Sequence, residues 1–413
     1  MNIDDLHESS LVSSWLKELE KGSGRFAELL RIARQGSGEG FFHTLREICQ
    51  QPVAWSQTAR HLVPMPDLIA DMVASCQRIL LTGSGSSQYA GECAAPVLEE
   101  RLERTVEAIG GGDLLMRGKA SVAGEPTLVI SPARSGESPE SVAVVDLLLR
   151  AEPRTHHLVI TCNSEGRLAR EFAGDDRVRV IDVGPQVNDS SLVMTSSFTN
   201  LVLSAWFLGW LEQTERFVRV VDCLDHAGRE VLTRWPDELG AWIAGGTDRV
   251  VFLGSGSRFG SWQEGSLKLL DMTAGKVGTM AQAYLGLRHG PICYINWRTL
   301  IVCFLSSDEL IRSDERDLML ELNAKGLGIG KLFAGLGDPG AALRQQCDVT
   351  ISYDLPADIP DASLTILDVM IAQILGFHRC LKERLQPDQP SASGVIRRVV
   401  GKFPIHHAAR ATK

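Results

Sequence analysis

Two stretches of this chain share one pattern of small and hydroxyl-bearing residues. R-I-L-L-T-G-S-G-S runs from Arg78 to Ser86, and R-V-V-F-L-G-S-G-S from Arg249 to Ser257, so the glycines that open the two turns, Gly83 and Gly254, stand 171 positions apart. Each turn follows a β-type run and precedes a helical sequence. Such a turn presents N–H groups and hydroxyls to an anion at a helix N-terminus, where the dipole favours negative charge. The pattern predicts a phosphate site in each copy, with Ser84, Ser86 and Ser87 offering hydroxyl donors in the first and Ser84 and Ser87 assigned to the phosphate. Glycine used for turn geometry alone is the competing explanation.

A third constellation, S-P-A-R-S-G-E-S-P-E-S, spans Ser131 to Ser141. It also follows a strand candidate. Ser135, Ser138 and the N–H groups around Gly136 could close on the same phosphate from the opposite side, with Arg134 adding charge. Glu140, at the start of the next helix, suits the dipole whatever the loop binds. Two Ser/Gly turns at the carboxyl ends of neighbouring strands are the arrangement of a ligand crevice in an open α/β sheet. In N-D-S-S-L-V-M-T-S-S-F-T, Asn188 to Thr199, the residues Thr195 and Ser196 either cap a helix or touch a sugar, whereas Met194 and Phe198 have core spacing.

Proton-transfer candidates lie in the second half. In Q-E-G-S-L-K-L-L-D, Glu264, Lys268 and Asp271 share one helix face, and Glu264 with Lys268 reads as an ordinary i,i+4 ion pair. Asp271 falls near the helix end suggested by Gly275. A carboxylate there opposes the dipole, so another group is expected to hold it. His289 lies in R-H-G-P, a turn fixed by Gly290 and Pro291; a structural or solvated histidine is the plain alternative.

The elements that must position these residues alternate. Strands are predicted at Arg78–Thr82, Thr127–Ser131, His157–Thr161 and Val178–Val183, then at Arg249–Leu253, Thr299–Leu305, Leu327–Phe333 and Val349–Tyr353. Helical stretches such as Ser138–Arg150 and Leu168–Phe172 lie between, and His43–Pro52 is expected to end near its proline. Apolar runs alternating with helices imply parallel sheets covered on both faces. The expected organisation is an N-terminal helical segment (1–55), a first α/β domain (56–215), a helical connector (216–240), a second α/β domain (241–385) and an irregular tail (386–413) that either folds back over a site or stays solvated.

Composition narrows the function classes. The net charge of −9 over 413 residues argues against nucleic-acid or anionic-membrane partners. Nine cysteines occur without a C-x-x-C pair, which gives no zinc signature. The odd count, and an opening M-N-I-D-D-L-H-E without signal-peptide character, fit a reduced cytoplasm. The apolar run Leu201–Leu211 is too short to span a bilayer and reads as a buried helix.

Together the motifs resemble the sugar isomerase (SIS) domain family in its tandem form. The likeness is closest to the branch of tagatose-6-phosphate ketose/aldose isomerases and galactosamine-6-phosphate deaminase/isomerases. R-E-I-C-Q-Q-P-V-A-W, A-R-S-G-E-S-P-E-S-V, I-T-C-N-S-E-G, M-T-S-S-F-T, T-A-G-K-V, R-H-G-P and D-Q-P-S-A-S-G carry it, over about residues 40 to 405. The resemblance implies two tandem doubly wound, flavodoxin-like parallel-sheet domains. By likeness to the isomerase half of glucosamine-6-phosphate synthase, it places a phosphate on Ser87, Ser135 and Ser138, with Arg134 where that enzyme has an amide. It makes Asp271 the catalytic carboxylate and His289 the ring-opening histidine.

What the resemblance implies is interconversion of an aldose or 2-amino-aldose 6-phosphate and its ketose. It needs no metal or organic cofactor, and the protein would be a homodimer or higher homo-oligomer. A non-catalytic sugar-phosphate binder and a fructosamine-6-phosphate deglycase are the alternatives. Three departures bear on this. The chain begins Met1-Asn2, without the synthase's N-terminal cysteine and glutaminase domain. Asp271 stands where relatives carry glutamate, about 1 Å shorter in reach, and a misplacement of that size can cost ~100-fold in rate. The tail lacks the synthase's lysine, with Arg397 or Arg398 as the basic groups nearest in position.

Overall fold

The computed structural model describes residues 10–36, 39–122, 124–401 and 403–406. The opening M-N-I-D-D-L-H-E, part of the glycine-rich break at Gly36–Gly40 and the last seven residues lie outside the described residues.

Helices α1 (Ser10–Leu19), α2 (Arg25–Arg34), α3 (Phe42–Leu62) and α4 (Pro66–Ser75) precede the first lobe. That lobe contains β1 (Arg78–Gly83), α5 (Ser86–Leu102), β2 (Thr105–Gly110), α6 (Gly111–Arg117), β3 (Thr127–Ala133), α7 (Pro139–Ala151), β4 (Thr155–Thr161), α8 (Arg167–Arg170), β5 (Val178–Asp182) and α9 (Ser196–Trp206). Helices α10 (Thr214–Arg234) and α11 (Pro236–Ile243) follow. The second lobe contains β6 (Arg249–Gly254), α12 (Phe259–Met272), β7 (Gly278–Ala283), α13 (Tyr284–Leu287), β8 (Thr299–Leu305), α14 (Glu309–Ala324), β9 (Gly330–Leu336), α15 (Ala341–Arg344), β10 (Val349–Tyr353) and α16 (Thr365–Lys382).

Each lobe is built on a five-stranded sheet, ordered β2-β1-β3-β4-β5 and β7-β6-β8-β9-β10, and every pairing is parallel. The two sheets have the same topology. Alternation along the strands buries both faces: Ile79 and Leu81 enter one core while Leu80 enters another, and Val250 and Phe252 part from Val251 and Leu253 in the same way. The largest core takes one face of both sheets together with α3, α9 and α16, so the lobes share it. Only α16, extended back to Asp361, is long and apolar enough among the described residues to cross a bilayer, and 89% of that stretch is buried in the protein.

Three sequence expectations are corrected. The first concerns α3, which runs through Pro52 instead of ending there. Proline cannot donate to the Ile48 carbonyl one turn back. The Gln51 side-chain amide donates to it instead, at 3.0 Å. The second concerns two of the four edge strands, β2 and β7, which went unpredicted. They flank β1 and β6 at equivalent places. T-V-E-A-I-G and G-T-M-A-Q-A lack the long apolar run of a strand buried on both faces. The third is β9, which starts at Gly330 rather than Leu327. Gly326 and Gly328 both adopt positive φ (65° and 85°), incompatible with a strand.

Candidate active site at the junction of the two lobes

The first turn sits at the carboxyl end of β1, an inner strand beside the edge strand β2. Gly85 has φ 59° and α5 begins at the next residue, Ser86. A Cβ on Gly83 would lie 2.6 Å from the Ser87 backbone carbon, so only glycine lets the helix start this close to the strand. The second loop leaves the neighbouring strand β3. Gly136 has φ 66°, the Ser135 hydroxyl accepts the Glu137 N–H at 3.3 Å, and Ser138 precedes α7 without capping it. Among the described residues, no other group of the chain engages the hydroxyls of Ser84, Ser87 or Ser138. The two loops come together around Gly111, where an added Cβ would stand 3.3 Å from Ser84 Oγ and 3.8 Å from Glu140 Cβ.

Lobe two contributes α12, which crosses α5 with backbones in contact. A Cβ on Gly260 would come within 2.5 Å of the Cys93 nitrogen and 2.8 Å of the Tyr89 oxygen. This crossing sets Glu264, Lys268 and Asp271 beside the start of α5. Lys268 lies 3.3 Å from Glu264 and 3.6 Å from Asp271. The i,i+4 ion pair expected of Glu264 and Lys268 is present, and it is fully buried. Neither Glu264 oxygen accepts a well-formed hydrogen bond. Burial pushes the Glu264 carboxyl up to about 7, with Asp271 adding to the rise, while Lys268 and the Ser86 hydroxyl oppose it. Tyr89 is also raised, by burial first and then by Glu92, Glu264 and Asp271. Asp271 is the open member of the group, with its side chain 24% exposed. Lys268 is the group that holds it against the helix dipole.

The other candidates fall elsewhere. Arg134 is buried beside the serine loop, but its guanidinium donates to the carbonyls of Leu192 (3.0 Å), Ser191 and Arg398. Its donors face protein carbonyls, which leaves its charge, and not its hydrogen bonds, to act on an anion at the loop. Thr195 and Ser196 are fully buried at the start of α9. Thr195 donates through N–H and hydroxyl to Asp189, at 2.7 and 3.2 Å, and Ser196 Oγ lies 3.3 Å from the Asn200 amide. They are therefore not sugar contacts here. The cap of α9 is Asp189, which also takes the Ser197 N–H at 2.9 Å. His289 is exposed on the turn after α13, with Gly290 at φ 116°, and has no side-chain bond to Asp271 or to the serine turns within the chain.

The tail folds back over lobe one. Asp388 accepts the N–H and hydroxyl of Thr44 at 2.7 and 2.9 Å, and Leu192 N–H donates to the Asp388 carbonyl. Arg398 donates to the Asp189 carbonyl and to Asn188 Oδ1, both at 2.7 Å. Its donors are thus committed to loop 188–192, and it does not stand in for a shuttling lysine; Arg397 is exposed. Sequence reasoning also missed Glu47 on α3. Its carboxylate takes the N–H groups of Ser190 and Ser191 and the Ser191 hydroxyl. Burial pushes Glu47 up to about 8, and the Asp189 charge adds to the rise.

The second Gly-Ser-Gly-Ser turn repeats the backbone of the first, with Gly256 at φ 55°, but is filled from within. Asp361 accepts the Ser257 hydroxyl at 3.2 Å and the Ser307 N–H at 2.7 Å. The phosphate expectation for this copy is corrected by that carboxylate.

The SIS domain family matches residues 72–209. An AgaS protein of Streptomyces coelicolor is 36% identical, with 88% of this chain and 95% of the relative covered. The D-galactosamine-6-phosphate deaminase AgaS of a Shewanella species is 31% identical, covering 91% and 94%. Among solved structures, the tagatose-6-phosphate ketose/aldose isomerase of Escherichia coli superposes with a TM-score of 0.77 at 26% identity, covering 91% of this chain and 98% of that one. The chain, two parallel α/β lobes packed through α5 and α12, belongs to the SIS-domain family of AgaS proteins.

Proposed function

We propose that this chain is an aldose–ketose isomerase of sugar 6-phosphates that deaminates an amino sugar, converting galactosamine-6-phosphate to tagatose-6-phosphate and ammonia. The observation that carries this reading is the crossing of α12 on α5. It sets an open carboxylate, Asp271, next to the helix start that bears the serine turn. The names of the AgaS relatives support the substrate class.

Ser84, Ser87, Ser135 and Ser138 hold the phosphate. Their contacts lie far from the reacting carbons and supply orientation. His289 moves a proton between the ring oxygen and the anomeric hydroxyl to open the ring. Asp271 takes the proton from C2 and returns it to C1 through an enolamine. The resulting C2 imine adds water, ammonia leaves, and the ketose remains. Lys268 orients the Asp271 carboxylate. No step calls for a metal or an organic cofactor.

Among the described residues His289 has no side-chain partner, and we assign it to the site of a second subunit in a homodimer or larger assembly. All nine cysteines are free, as in a reduced cytoplasm. The test is an ammonia-release and isomerisation assay over hexose and hexosamine 6-phosphates. Turnover of the galacto amino sugar with release of ammonia supports the reading; binding without turnover of any of them supports a sugar-phosphate sensor instead.

A further inference from the structure

The two lobes offer a comparison that the sequence repeat alone could not. Both turns have the same residues, the same positive φ at the second glycine (59° and 55°) and the same place at the end of the strand next to a sheet edge. In both, a loop from the next strand closes the other side of the crevice. In lobe one, hydroxyls of both loops are left open. In lobe two, Asp361 bridges the two loops. It takes the Ser257 hydroxyl from the first and the Ser307 N–H from the second. Ser307 is the counterpart of Ser135 in the phosphate loop, and Ser257 that of Ser86 beside Ser87, so Asp361 sits across the same two loops that close on the phosphate in lobe one.

The charges around it agree. Arg258 is buried behind the turn and is 3.9 Å from Asp361. Its main partner is the fully buried Asp368, with Nε to Oδ2 at 2.7 Å, and it also donates to the Leu305 carbonyl. Glu315, fully buried, receives the Ser306 N–H at 3.0 Å, and burial pushes its carboxyl up to about 7. Three carboxyl groups therefore face two buried guanidiniums, since Arg312 donates to the Ser306 carbonyl of the same loop at 2.7 Å. A phosphate dianion entering here would meet donors already occupied and more carboxyl groups than guanidiniums.

We infer that Asp361 is a built-in anion that occupies the phosphate cradle of the second lobe and restricts each chain to one sugar phosphate. Asp361 is thus a specificity-determining residue for where the ligand binds, and Ser257 and Ser307 are structural. The inference uses the phosphate reading of lobe one only as its point of comparison.

The experiment counts inorganic phosphate bound per chain, by calorimetry and by equilibrium dialysis, for the parent protein and for Asp361→Ser. The variant removes the carboxylate and leaves a hydroxyl donor, as in lobe one. The expected result is one equivalent for the parent and two for the variant. The variant's second equivalent should raise its melting temperature, with no matching effect in the parent. A folded variant that binds the parent's number of phosphates overturns the inference, as does a parent that binds two. A parent that binds none would sink the lobe-one reading while leaving the difference between variant and parent to decide this one. If Asp361→Ser does not fold, a phosphate-soaked crystal of the parent decides. Density confined to lobe one supports the inference, and density in contact with Ser257 and Ser307 overturns it.

Discussion

Lys268 stands between two carboxylates of its own helix, 3.3 Å from Glu264 and 3.6 Å from Asp271, and is itself buried together with Glu264. It satisfies one acid in the interior and orients the other at the edge of the crevice. Removing one partner of a buried pair leaves an uncompensated charge, at a cost of ~3–5 kcal/mol. Lys268→Met should therefore lower stability in urea by about that amount. Glu264→Gln combined with Lys268→Met should recover most of the loss.

The serine turns predict a split in the kinetics. Ser87→Ala and Ser135→Ala each remove one hydrogen bond to the charged phosphate, worth ~1.5–3 kcal/mol, so KM should rise roughly 10- to 150-fold with kcat nearly unchanged. Ser257→Ala, in the turn closed by Asp361, should leave KM as it is. Steady-state kinetics on the three variants checks this.

Glu47 predicts a pH dependence of stability. Its carboxyl is raised from 4.5 to about 8 in the native state. Between those values the native protein holds a proton that the unfolded chain has released, so stability falls as pH rises through the window. Asp189 is the charge that faces it. Glu47→Gln should flatten the slope. Urea denaturation of both proteins at pH 5 and pH 8 measures it, with the parent losing more than the variant.

Arg134 ties the phosphate loop to the tail through the Arg398 carbonyl and to loop 188–192 through the Leu192 carbonyl. Arg134→Gln should leave two or three carbonyls unpaired and free the tail for local opening. Trypsin should then cut after Arg397 and Arg398 about tenfold faster or more, the factor given by ~1.4 kcal/mol of lost local stability. Cleavage at an unchanged rate would show that the tail is held by other contacts.

Much of this design could be read from the chain. The strands inside both sheets are long apolar runs with glycine turns after them, and their alternation gave the parallel α/β lobes. The serine turns were legible because glycine and serine at a strand end have few other uses. The edge strands β2 and β7 were not, since T-V-E-A-I-G and G-T-M-A-Q-A lack an apolar pattern, whereas the other two edges, β5 and β10, keep alternating β-branched residues. The path of α3 through Pro52 depends on a side-chain rescue by Gln51 that no propensity records. Asp189, Asp361 and Glu47 went unnoticed because an isolated acid has no periodicity. Their partners lie 6 to 144 residues away in the sequence and meet them only through the fold. The same limit explains Arg134. Its charge suggested a phosphate contact, and only the packed loops show its donors engaged by carbonyls.

The central claim is that Asp271 moves a proton between C2 and C1 of a sugar phosphate gripped by the first lobe. The direct measurement is deuterium uptake from D₂O into galactosamine-6-phosphate and its product, for the parent and for Asp271→Asn. The account predicts label at C1 or C2 and released ammonia with the parent. With the variant it predicts a loss of at least ~100-fold in exchange, the scale of a single general acid–base group, while the substrate still binds. Exchange at the parental rate in Asp271→Asn would contradict it.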